Sequence, residues 1–106
     1  MKKIPNEFTR NPFVCRLIFR EASVAIYELT HKGSGKVNNY EVVIIRQHKA
    51  DNEFIKVKAG DEYLPSTSEW GQYGWTFSTL ELANYKAKHL IHERSMDKSG
   101  SHTSAN

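Results

Sequence analysis

Phe13-Val14-Cys15-Arg16-Leu17-Ile18-Phe19-Arg20 alternates, placing Phe13, Cys15, Leu17 and Phe19 on one face and Arg16 and Arg20 on the other. That period of two is the pattern of a β-strand with one side in a core. Val24 to His31 and Tyr40 to Gln47 are further β-rich runs, and Val42-Val43-Ile44-Ile45 is apolar enough to predict a central strand. Between them, His31-Lys32-Gly33-Ser34-Gly35-Lys36-Val37-Asn38-Asn39 supplies glycines and asparagines that tolerate the positive φ of a hairpin turn. Its Gly33-Ser34-Gly35-Lys36 lacks the first glycine, the hydroxyl residue and the following helix of a phosphate-binding loop, so it reads as a turn. Phe54 to Lys58 reads as a short, charge-interrupted edge strand and Gly74 to Phe77 as a last short strand.

The chain then changes period. Ser78 followed by Glu81 forms a capping box, Phe77 and Leu82 form a hydrophobic staple, and Leu80, Ala83, Ala87, Leu90 and Ile91 fall on one helical stripe. These elements predict an α+β domain, an antiparallel sheet of three to five strands in meander order with one C-terminal helix on one face. The expected core is Phe13, Leu17, Phe19, Val42, Ile44, Trp75, Phe77, Leu80, Ala83, Ala87 and Leu90. Residues 1–12, polar and carrying Pro5 and Pro12, read as an extended arm; residues 13–94 as the single domain; residues 95–106 as a disordered polar tail.

Between Glu62 and Glu81 the rings of Tyr63, Trp70, Tyr73, Trp75 and Phe77 crowd together with Pro65, Gly71 and Gly74. Such a stretch is either the keystone of a small core or a contact site. Read as a contact site, it offers Trp70, Glu69, Gln72 and Tyr73, with Glu62 on the rim, as protein-binding residues.

Composition sets outer bounds. At 106 residues, with 39% hydrophobic and 25% charged residues, the chain suits one folded domain. A net charge of +3 permits an anionic partner without the dense basic clusters of dedicated nucleic-acid binders. Arg16, Arg20, Arg46, Lys56 and Lys58 nevertheless occupy predicted strands and could form a nucleic-acid-binding sheet face. The lone Cys15, the absence of a signal-type apolar segment and the absence of a membrane-length run predict a cytoplasmic protein with no membrane partner.

Chemistry is sparse. Cys15 lies on the core side of its strand, His89 and His92 share a helical face without an evident third ligand, and the carboxylates show no acid–base spacing. The expectation is a non-enzymatic protein without metal or cofactor, whose exposed strand edge could support a homodimer.

Tyr40-Glu41-Val42-Val43-Ile44-Ile45-Arg46, then Tyr63-Leu64-Pro65-Ser66, then Trp70-Gly71-Gln72-Tyr73-Gly74-Trp75-Thr76-Phe77 resembles a group of small uncharacterised phage and mobile-element proteins. In that group a Val-Val-hydrophobic-Arg strand leads through a Tyr-Pro-Ser segment and a Trp-Gly pair to an aromatic strand and a helix. Leu64 separates tyrosine from proline here. The resemblance covers about residues 20 to 92 and implies an origin and a shape. Trp70-Gly71 also resembles the WGR domain, an antiparallel sheet with one helix that helps bind DNA, although Gln72 replaces its arginine. Together these readings point to an accessory protein that binds a host macromolecule in the bacterial cytoplasm. An inhibitor of a host defence system, such as an anti-CRISPR protein, is one form; a nucleic-acid-binding module is the alternative.

Overall fold

The computed structural model describes residues 1–103, with side-chain surroundings through residue 94. Among the described residues seven strands and a 3-10 turn (Thr67–Glu69) precede one α-helix: β1 (Glu7–Arg10), β2 (Phe13–Glu21), β3 (Val24–His31), β4 (Val37–Ile44), β5 (Arg46–Gln47), β6 (Glu62–Tyr63), β7 (Gly74–Phe77) and α1 (Leu80–Thr103). The main sheet runs β1-β2-β3-β4-β7, and every adjacent pair is antiparallel. β5 and β6 form a separate two-stranded ribbon at the base of the long β4–β7 connection. The fold is therefore the expected α+β sheet with a helix packed against it.

Alternation along the inner strands sends side chains to two cores. Val24, Ile26, Val42 and Ile44 meet Ala83, Ala87 and Leu90 of α1. Burying each of those four branched side chains contributes roughly 1.5–3 kcal/mol, and the two alanines let the helix backbone lie close to the sheet. Cys15, Ala25, Tyr27, Leu29, Val43 and Ile45 form the second core on the other face, covered by Ile4, Phe8, Phe13, Leu17, Leu64 and Trp70. This double cover explains why Val42 to Ile45 is a continuous apolar run rather than an alternating one.

Several sequence expectations are corrected here. The register shifts between Leu17 and Phe19, so Ile18 is an extra residue and Phe19 packs on the helix side. A bulge of this kind resets which face each following residue occupies. The N-terminal residues, read from sequence as an extended arm, are bonded into the domain. Backbone N–H groups of Lys2 and Ile4 donate to the carboxylates of Asp61 and Glu62 at 2.8 and 2.9 Å, and β1 pairs with β2.

No strand spans Phe54 to Lys58; that segment is the tip of a tight hairpin whose only bridge joins Asn52 and Val57. The helix cap shifts by one residue, because Thr79 Oγ1 accepts the Leu82 N–H at 3.2 Å. Leu80, expected in the core, is 39% exposed. α1 runs past Arg94 through Thr103, where the sequence predicts a tail. Residues 104–106 of that predicted tail lie outside the described residues.

Candidate functional site

The β4–β7 connection leaves the sheet, makes two excursions and returns. Its second half contains the aromatic segment, and here the two tryptophans separate. Trp70 packs on the second core with its indole N–H donating to Thr76 Oγ1 at 2.9 Å, whereas Trp75 packs against the helix-side core beneath the Lys86 ammonium, 4.3 Å from its ring centre. Gly71 at φ 94° allows the turn between them. Both rings are half-buried, each packed against one of the two cores.

Glu69 and Tyr73 are likewise engaged. The Arg46 guanidinium stands 3.8 Å from the Tyr73 ring centre and 4.8 Å from that of Tyr63, and it pairs with Glu69 at 2.5 Å. Glu69 also accepts the Ser66 N–H at 2.9 Å. The Arg46 bond and the Ser66 amide hold the Glu69 carboxyl down at about 2. Of the expected protein-binding residues only Gln72 is exposed.

The predicted basic face is mostly neutralised. Arg16 pairs with Glu28 at 2.8 Å across β2 and β3, and Arg20 grips Glu62 through both terminal nitrogens at 3.0 and 2.7 Å. The bulge also puts Arg16 and Arg20 on opposite sides, since Arg20 is paired in register with Ala25 of the second core. Lys56 and Lys58 lie in the hairpin, off the sheet. The five basic residues therefore make no single surface.

Glu62 is an anchor that sequence reading missed, because its partners Arg20 and Ile4 lie far away along the chain. Its side chain is 3% exposed, and Arg20 first, then the Ile4 amide, pull its pKa down from 4.5 to about 2. A depressed folded-state pKa means this stabilisation is complete above pH 4.5 and fades as pH falls toward 2. Urea unfolding across that window is expected to record the decline, and Glu62→Gln is expected to cost about 2 kcal/mol at neutral pH and to flatten the acid limb. An unchanged acid limb in the variant would remove Glu62 as its source.

The first excursion, residues 48–61, holds the most exposed apolar side chains of the connection. Phe54 is 99% exposed and Ile55 is 59% exposed. Asn52 and Val57 exchange backbone bonds at 2.9 and 3.0 Å, Asn52 Oδ1 accepts the Phe54 N–H at 3.0 Å, and Asp51 accepts the Ala59 N–H at 2.8 Å. Asp61, itself 3% exposed, accepts the Lys58 N–H at 2.9 Å and so ties the hairpin base to the N-terminal residues. Lys56 takes φ 56°, a left-handed conformation that costs a side-chain-bearing residue roughly 1–2 kcal/mol. The hairpin is fixed by this backbone pair and by the Asn52, Asp51 and Asp61 side chains, while Phe54 stays exposed.

Cys15 is fully buried, and burial pushes its thiol pKa upward. His89 faces Glu93 at 3.2 Å. Among the described residues no group of three or more His, Cys, Asp or Glu could hold a metal, and no helix is long and apolar enough to cross a membrane. Compared with protein-family models, curated proteins and solved structures, the chain finds no match.

Proposed function

We propose that the protein is a non-enzymatic binding protein that engages a host protein by inserting the Phe54–Ile55 hairpin tip into an apolar pocket of that partner. The observation that carries this reading is Phe54, 99% exposed at the end of a hairpin held by the Asn52–Val57 backbone pair and by the Asn52 and Asp51 side chains, with no part for the Phe54 ring. A large apolar ring on a preformed support loses little entropy on docking, and the surrounding Glu53, Lys56 and Lys58 supply a polar rim. The left-handed Lys56 supports it too, since local strain of this kind is retained where presentation matters. In its most specific form, the protein is a phage or mobile-element accessory factor that blocks a host defence complex in the bacterial cytoplasm by occupying a surface.

Phe54→Ser tests the reading without disturbing the fold. Stability is expected to stay within about 0.5 kcal/mol of the parent. Affinity for a partner recovered from nuclease-treated host lysate is expected to fall roughly 30- to 100-fold, the loss of one buried aromatic anchor. Equal capture by parent and variant would sink the proposal.

A further inference from the structure

At the base of that hairpin lies an open cavity of about 830 Å³, bounded by Lys3, Arg20, Arg46, Lys49 and Arg94 with Glu62 as the one acidic lining residue. Five cations against one carboxylate give the lining a net +4, while the whole chain carries +3. Counting Glu69, which neutralises Arg46 from outside the lining, still leaves +3. The chain's surplus positive charge is therefore gathered at one concavity, although the contributing residues are scattered from one end of the sequence to the other. We infer that this cavity binds a ligand bearing adjacent phosphate groups, either a free nucleotide or the backbone of a single-stranded nucleic acid.

The division of labour among the cations supports that ligand class. Arg20 and Arg46 are held in the wall by Glu62 and Glu69, with Arg46 stacked between Tyr63 and Tyr73. The His48 ring lies 4.4 Å from that of Tyr63, and both line the cavity. The side chains of Lys3, Lys49 and Arg94 make no ion pair among the described residues. Their charge is the part a phosphate ligand would neutralise, and several cations converging on one concavity favour a multiply charged anion over a single carboxylate. The site is separate from the Phe54 tip, so either can fail without the other.

Inorganic pyrophosphate and a short single-stranded oligonucleotide are the two probes, with thermal stabilisation and direct titration as readouts. The parent is expected to be stabilised by at least one of them in proportion to occupancy. Lys3→Gln/Lys49→Gln is expected to weaken that probe by tenfold or more, while Arg16→Gln, outside the cavity, leaves it unchanged. Binding of pyrophosphate identifies a free phosphate ligand. Binding of the oligonucleotide alone identifies a nucleic-acid backbone, and its log-affinity slope against log salt should then shrink by about 0.7 for each lysine removed. If neither probe binds, or if the double variant binds both as tightly as the parent, the inference is wrong.

Discussion

Gly74→Ala is expected to destabilise the protein by about 3 kcal/mol and to lower its melting temperature by roughly 10–20 °C. A methyl group at that position would stand 2.5 Å from Cζ3 and 2.6 Å from Cε3 of Trp70, well inside contact distance. Gly74 has no positive φ, so the penalty is steric, and the three atoms nearest the added methyl all belong to the indole. Trp70 cannot retreat cheaply, because its N–H is bonded to Thr76 and its ring covers the second core. The same substitution in a Trp70→Ala background is therefore expected to cost little, and this double-mutant cycle isolates the contact. A Gly74→Ala protein as stable as the parent would mean that Trp70 is free to move, and would restore it as a contact residue.

Tyr27→Ala carries the second large effect, about 3–5 kcal/mol. Tyr27 is 2% exposed, meets Phe8 edge-to-face at 5.3 Å and donates its hydroxyl to the Pro5 carbonyl at 3.0 Å. Burial pushes its pKa up to about 12, so the hydroxyl remains a donor throughout the neutral range. Tyr27→Phe, which keeps the ring, is expected to cost only about 1 kcal/mol. Amide exchange separates this account from a generic core defect: Glu7 to Arg10 should lose protection in Tyr27→Ala well before β3 and β4 do. A loss below about 1 kcal/mol for Tyr27→Ala would show that the N-terminal residues do not seal the second core.

Local patterns made much of the sheet legible. Val24–His31 is bounded in the structure as its β-rich composition implies, and Gly74–Phe77 returns to pair with β4. The Val42 to Ile45 run also marks an interior strand correctly. Ile18 defeated the reading of β2, since a bulge leaves no composition signal in a segment already rich in apolar residues. The segment before Phe13 was misread because Ile4 and Phe8 are isolated among polar neighbours, and their value appears only once Tyr27 and Cys15 are in place to receive them.

The candidate sites were the least legible part, for a related reason. Charge and aromaticity suggest binding, but they are also what Arg46, Tyr63, Tyr73 and Glu69 use to brace one another across the connection. Those partners are separated by many residues, so no spacing rule exposes the arrangement. Phe54 lacked any local mark that distinguished it from an edge-strand residue; only its 99% exposure singles it out. Residues that contribute to the cationic cavity are individually ordinary and meet only through the fold.

Site-specific photo-crosslinking in host cells tests the central claim most directly, with the reactive group placed in turn at positions 54, 72 and 85. Position 72 samples the aromatic segment favoured by sequence, and position 85 samples the outward face of α1, where Tyr85 is 76% exposed. The account predicts one dominant protein adduct from position 54, resistant to nuclease. An adduct from position 72 or 85 with none from position 54 would contradict it and move the interface away from the hairpin tip.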